Sequence, residues 1–212
     1  MNMTEKKPQK IILMVDVQNS FVKANQLTGQ EDGSLSVNGA DDSYLANVHE
    51  FVKAAVAKGI LFVASQDFHL SDHVSFASSH PGKKILDIIY PYADKIKEQV
   101  LWPDHCVQSL NKDTTNPKSS HIILPTGFKE VHGGEILRIR EQDLFAIKND
   151  HKNVFIIRKG FDKNVDSYSV FNDALGTPTQ AQEVLAKLFG SSTAGQTGGH
   201  VNQAERLTVV LF

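Results

Sequence analysis

Three apolar runs in this chain each lead into an ionisable residue. Ile11-Ile12-Leu13-Met14-Val15 ends at Asp16, Ile60-Leu61-Phe62-Val63-Ala64 runs on to Gln66-Asp67, and Val154-Phe155-Ile156-Ile157 leads into Arg158-Lys159-Gly160. Short continuous apolar runs suit strands buried on both faces of a parallel sheet. Ligands of open α/β sheets bind beyond the carboxyl ends of the strands. Two carboxylates and an ammonium delivered to that one rim would perturb one another's protonation, as groups at reactive sites do. A polar residue after a single strand is common, so the combination, and no member of it, points to a site.

A second constellation is Asp67-Phe68-His69. Alternate residues of an extended segment point the same way, so a carboxylate and an imidazole could converge on one cation. A further ligand is needed. His105 is the best candidate, because Trp102 and Pro103 would stiffen its approach. One carboxylate with two imidazoles suits Zn²⁺, Fe²⁺ or Mn²⁺, with the remaining positions left to water or substrate. On spacing alone this signal is weak, since D-x-H arises by chance and most histidines bind no metal.

The elements that must hold these residues can be read coarsely. Residues 22–39, rich in Gly, Asn, Ser and Asp, read as a loop. Tyr44 to Lys58 carries Leu45, Val48, Val52 and Val56 at helical spacing, with Gly59 as a stop. The first two strands and this helix form a βαβ unit. Residues 68–84 form a polar loop, and a helical stretch is expected around Leu86 to Val100. Residues 111–153 read as an elaborated connection. A helix follows at about Gln180 to Phe189, then a Gly/Ser/Thr-rich stretch at 190–200, and a fourth strand is expected at Leu207 to Phe212.

At 212 residues the chain suits one domain, and 41% hydrophobic with 22% charged residues is ordinary for a globular protein. A net charge of −2 gives no sign of a nucleic-acid or anionic-membrane partner. No apolar run approaches the roughly 20 residues needed to span a bilayer. MNMTEKKPQK is too polar and too short to read as a secretory signal. The single cysteine, Cys106, excludes an intramolecular disulfide and suits a reducing compartment, so a cytoplasmic location is expected.

The strings VDVQNSFV, DGSLSV, SQDFHLSDHVSFASSHPGKK, LWPDHCVQ and RKGFDKNVDSYSVF occur in this order. Together they closely resemble the nicotinamidases of the isochorismatase-like (cysteine hydrolase) superfamily, from about residue 11 to about residue 173. LWPDHCVQ and KGFDKNVDSYSVF are very specific, whereas VDVQNSF alone would mark only the superfamily. The resemblance implies an α/β fold of the Rossmann-type three-layer kind, a parallel sheet flanked by helices. It also implies a metal-assisted hydrolysis of nicotinamide to nicotinate and ammonia in NAD salvage. On the matched positions, Asp16 would be the general base, and Lys159 the cation that lowers neighbouring pKa values and stabilises developing negative charge. Asp67, His69 and His105 would hold one divalent ion, zinc by preference over iron or manganese. Phe21 and Trp102 would flank the ring of the substrate, and Ser71 falls near the metal. Phe68 and Leu70 replace the Trp and Pro usual in the motif around the histidine.

One part of the pattern is missing. The family's nucleophilic cysteine follows its fourth strand, in a Y-C-V type segment, and no such segment occurs among these residues. The chain is expected to lack the last strands of the fold, leaving no nucleophile and an unpaired apolar edge at Leu207–Phe212 that would favour homo-oligomers. Cys106 is expected to be a packed thiol, because side chains of adjacent residues diverge and His105 would take the metal side. His73 and His80 are expected to be solvated loop residues, and no role falls to His49, His121, His132, His151 or His200. The run Arg138/Arg140/Glu141/Asp143 reads as a solvated helix face. Two other readings remain: a non-catalytic protein that binds metal or nicotinamide, and another hydrolase of the superfamily, which the metal triplet disfavours.

Overall fold

The computed structural model describes residues 11–93 and 97–189. Strand β1 (Ile11–Met14), helix α1 (Asp42–Val56) and strand β2 (Leu61–Asp67) form the expected βαβ unit, with Ile11 opposite Leu61 and Met14 opposite Ala64 in parallel register. Helix α1 begins where Asp41 turns extended and its carboxylate accepts from the backbone N–H groups of Ser43 and Tyr44, which satisfies donors that the first turn leaves open. It gives way at Gly59, whose φ of +77° is costly for any side chain but none for glycine.

Strand β6 (Asn153–Lys159) lies against β2, and β5 (Lys129–His132) lies against β6, giving a four-stranded parallel sheet in the order β1-β2-β6-β5. Alternation along the strands divides the core in two. Ile12, Met14, Phe62, Ala64, Val154 and Ile156 face α1 through Leu45, Val48 and Val52. Ile11, Leu13, Val63, Phe155 and Ile157 face the other way, onto Ile136 of α2 (Gly133–Arg138), Leu144 of α3 (Glu141–Asn149) and Val184 and Leu188 of α4 (Ala181–Phe189). A sheet covered on both faces explains why its strands read as unbroken apolar runs. The fold is the three-layer α/β arrangement expected.

Four expectations need correction or fall elsewhere. Leu86 to Val100 is no helix among its described residues. Strand β3 (Ile88–Ile89) pairs antiparallel with β4 (Gln99–Val100), Ile88 opposite Val100. Two adjacent β-branched residues followed by Pro91 disfavour a helix, and Leu86 has a φ of 71°, outside any helix. The connection at 111–153 contains a strand of the main sheet, β5, and two short helices. The reading missed β5 because Lys-Glu-Val-His at a half-exposed edge lacks the apolar run of an inner strand. The charged run at 138–143 spans the end of α2, a break at Ile139–Arg140 and the start of α3, so it is no single helix face. The strand expected at Leu207–Phe212 lies outside the described residues. Among the described residues no helix is long and apolar enough to cross a membrane.

Candidate metal and acid–base site

The three strand-end residues meet. Asp67 and Lys159 are cross-strand partners on β2 and β6, and Lys159 Nζ donates to Asp67 Oδ1 at 2.6 Å. Asp16, two residues beyond β1, stands 3.0 Å from the same Nζ through Oδ2. The carbonyl of Ser167 accepts the third hydrogen bond at 3.0 Å. An ammonium has three donors, so this one is fully satisfied although Lys159 is only 3% exposed.

Asp16 adopts φ 51°, a strained conformation for a residue with a side chain. Ser65 of β2 holds it there. Its Oγ accepts from the Asp16 N–H at 3.1 Å and donates to Asp16 Oδ1 at 2.6 Å. Sequence reasoning missed Ser65, since one serine inside an apolar strand carries no local signal. Gln18 brackets the Asp67 backbone, donating to its carbonyl and accepting from its N–H.

Burial pushes the Asp16 carboxyl above its ordinary value, against the pull of the Lys159 ammonium. Burial acts the same way on Asp67, but there Lys159 and His69 outweigh it and hold the carboxyl well below the usual range. Lys159 is raised: burial opposes its charge, and the two carboxylates outweigh burial. The pair of aspartates is thus driven apart in acidity, one poised to take a proton and the other fixed as an anion.

On the far side of Asp67 stand two imidazoles. His69 Nδ1 lies 2.7 Å from the Gly160 carbonyl, and His105 Nδ1 lies 2.8 Å from the Pro103 carbonyl. If each Nδ1 carries its proton to that carbonyl, each Nε2 keeps a lone pair. This is how ligating histidines are oriented in metal sites. One donor atom from each of Asp67, His69 and His105 lies within 4.8 Å of the others, and all three residues are buried. Ligands of a tetrahedral zinc stand roughly 3.3 Å apart, so a small inward movement closes the set. The residues fit a divalent ion. Burial keeps His105 below its ordinary pKa, in the neutral form that ligates. His69 is raised: burial lowers it, but Asp67 outweighs burial and favours a proton where a cation would otherwise bring charge.

The loop bearing His105 is brought here by a short parallel bridge. His69 N–H donates to the Cys106 carbonyl at 2.9 Å, and Gln108 N–H donates to the His69 carbonyl at 2.9 Å. A cavity of about 190 Å³ lies over the site, with Asp16, Asp67, Lys159 and His105 on one side and Phe21 and Trp102 among its other walls. Asp16, Phe21, Asp67, Trp102, His105 and Lys159 therefore border the cavity, whereas His69 and Ser71 do not. Asp166, Ser167 and Tyr168 complete the lining. Trp102 Nε1 donates to the Tyr168 hydroxyl at 3.0 Å, and Gln99 donates to Asp166 at 2.9 Å. Asp166, Ser167 and Tyr168 sit in the KGFDKNVDSYSVF string, and no role had been assigned to them from sequence.

His73 departs from expectation. It is buried, with its ring 4.1 Å from that of His69, because the loop folds Val74 N–H onto the Lys163 carbonyl and turns the imidazole inward. Ser71 is exposed. Cys106 is fully buried, with a φ of 47°, and burial pushes its thiol well above the ordinary range.

No protein-family model matches the chain. The nicotinamidase of Acinetobacter baylyi is 34% identical over 167 residues, covering 77% of this chain and 55% of that protein. The nicotinamidase of Escherichia coli is 31% identical over 113 residues, covering 52% and 46%. The chain thus spans about half the length of these bacterial relatives. A nicotinamidase/pyrazinamidase structure from Acinetobacter baumanii superposes with a TM-score of 0.53 at 26% identity, covering 87% of this chain and 69% of that one. The yeast nicotinamidase gives 0.57 at 24% identity, over 84% and 70%, a likeness of fold. In sequence and in fold, the chain is similar to the nicotinamidases.

Proposed function

We propose that these residues form the substrate-holding and acid–base part of a metal-dependent nicotinamidase, which hydrolyses nicotinamide to nicotinate and ammonia. The observation that carries this reading is the shared ammonium of Lys159, bridging Asp16 and Asp67, directly beside the Asp67/His69/His105 donor set on one small cavity. Phe21 and Trp102 supply apolar walls for a planar ring. A divalent ion, zinc by its donor set, would supply a coordination point for the pyridine nitrogen and so fix the carboxamide. Asp16, its carboxyl pushed up by burial, takes a proton from the attacking thiol and returns one to the departing ammonia. Lys159 stabilises the negative charge that develops on the way. Attack forms a thioester and releases ammonia; water then cleaves the thioester to nicotinate.

The attacking thiol would have to come from outside these 212 residues. Cys106 is a poor source: it is fully buried, and burial holds it protonated. That state of the one cysteine favours a second reading, binding of metal and nicotinamide without turnover. Calorimetric titration of nicotinamide into the zinc-loaded protein tests the shared part of both. Binding is expected within the ordinary substrate range of about 1 μM to 1 mM, and its absence there overturns the proposal. These 212 residues are expected to release no ammonia from nicotinamide above the level of a Cys106→Ala variant; release that Cys106→Ala abolishes would make Cys106 the nucleophile and select hydrolysis over binding alone.

A further inference from the structure

A second cavity, of about 620 Å³, opens at the same ends of β2 and β6. The alternation that turns Asp67 and Lys159 into the metal-side cavity turns their neighbours Phe68 and Arg158 away from it, and these two line the second one. Gln66 and Arg158 are register partners on β2 and β6, and Arg158 Nε donates to Gln66 Oε1 at 2.9 Å. The half-buried guanidinium stands 3.8 Å from the centre of the Phe68 ring, a cation–π contact that fixes its plane. Its two Nη groups have no hydrogen-bond partner among the described residues. Burial lowers the Arg158 pKa, and the opposing pull of Glu130 and Glu135 does not make up for it. Arg138, exposed at the end of α2, brings a second guanidinium to the lining, also without an ion pair among the described residues. Glu135 is the one carboxylate there, and its Oε2 accepts the His132 N–H at 2.9 Å. The walls between the charges are apolar: Phe161 is 52% and Leu70 39% exposed, so an aromatic and an aliphatic face stand open to the cavity.

We infer that this cavity binds a planar aromatic ring carrying an anionic group, either a nucleoside monophosphate or an aromatic carboxylate. A guanidinium fork presents paired N–H donors that match the oxygens of a phosphate or a carboxylate. Phe161 and Leu70 supply the surface on which the ring lies. Size separates this cavity from the metal-side one, which is about 190 Å³. A volume of about 620 Å³ falls within the range of roughly 300–1,000 Å³ usual for small-molecule sites, and it favours the nucleotide of the two sources. None of Arg138, Arg158 and Phe161 lines the metal-side cavity, and none takes part in the proposed hydrolysis.

Adenosine monophosphate and benzoate are the probes, titrated calorimetrically into the full chain. Adenosine, inorganic phosphate and acetate are the controls, each lacking either the anion or the ring. At least one probe is expected to bind with a Kd below about 1 mM, and more tightly than every control. Tighter binding of adenosine monophosphate marks a nucleotide site, and tighter binding of benzoate an aromatic-carboxylate site. Arg158→Gln should weaken the tighter probe about tenfold or more, and Arg138→Gln and Phe161→Ala, at exposed positions, should each weaken it several-fold. If Arg158→Gln fails to fold, the two exposed variants carry the test. No binding of either probe below about 1 mM overturns the inference, as does a control that binds as tightly as the probe. Probe binding that folded Arg138→Gln and Phe161→Ala both leave unchanged overturns it too. Nicotinamide binding is expected to be the same in these two variants as in the wild type, so the two sites stand or fall separately.

Discussion

Lys159 carries its charge at 3% exposure because all three of its N–H donors are taken, two of them by carboxylates. A buried ion pair is weak evidence of stability, yet removing one partner is costly because the other charge stays buried. Lys159→Met should therefore cost about 3–5 kcal/mol in urea unfolding at pH 7, and a cost near zero would show that Asp16 and Asp67 do not depend on it. Gly160 acts at the same scale. Its φ is +64°, and a Cβ there would sit 2.4 Å from His69 Cε1. Gly160→Ala adds about 1–2 kcal/mol of backbone strain and displaces the His69 imidazole, so competition against a chelator should show weaker metal binding. Unchanged affinity would mean that His69 does not hold the ion.

At the scale of elements, the site is a consequence of where strands stop. Helix α1 packs on one face of the sheet through residues spaced three and four apart, Leu45, Val48 and Val52, none of them measurably exposed. That packing fixes β1 beside β2 and so sets the distance between Asp16 and Ser65. Leu45→Ala removes a fully buried side chain and should cost about 2–5 kcal/mol, read as a fall in the thermal midpoint. A shift no larger than that of an exposed position on the same helix would show that α1 does not brace the sheet. The hairpin β3–β4 braces the other wall: Gln99 on β4 reaches Asp166, and Tyr92 donates to Gln99 at 2.9 Å.

For the molecule as a whole, protonation and metal should be visible in stability. Lys159 and Cys106 both have raised pKa values in the folded state. Above its unfolded pKa, each binds its proton more fully in the folded chain than in the unfolded one. Their contribution is complete below the unfolded values, about 8.5 for cysteine and about 10.4 for lysine, and is lost as pH rises past them towards the folded values. Stability should therefore decline on the alkaline side, starting near the cysteine value, and Lys159→Met should flatten the later part of that decline. An equally steep decline in the variant would rule out Lys159 as its source. Metal should act in the opposite sense: free zinc at about 100 times its Kd should add about 2.7 kcal/mol to stability, and His69→Ala should remove that gain. A melting curve of the wild type that zinc leaves unmoved would count against the Asp67/His69/His105 donor set.

By itself the sequence determined the pieces. Apolar runs marked β1, β2 and β6 because burial on both faces leaves no polar alternation to hide them. The two-residue period placed Asp67 and His69 on one side of an extended segment, and a helical spacing of apolar residues marked α1. These are local signals, readable from neighbours along the chain. The edge strand β5 gave none, being half-exposed and polar, and the 86–100 segment gave a misleading one. Tertiary structure alone decided the partners. Asp67 stands opposite Lys159 across 92 residues of chain, Asp16 is pinned by Ser65 across 49, and the Gly160 carbonyl orients His69 across 91. It also turned His73 inward and set Asp166 beside it. No single residue encodes such pairings, because strand order follows from how whole apolar faces fit against α1 on one side and α2, α3 and α4 on the other.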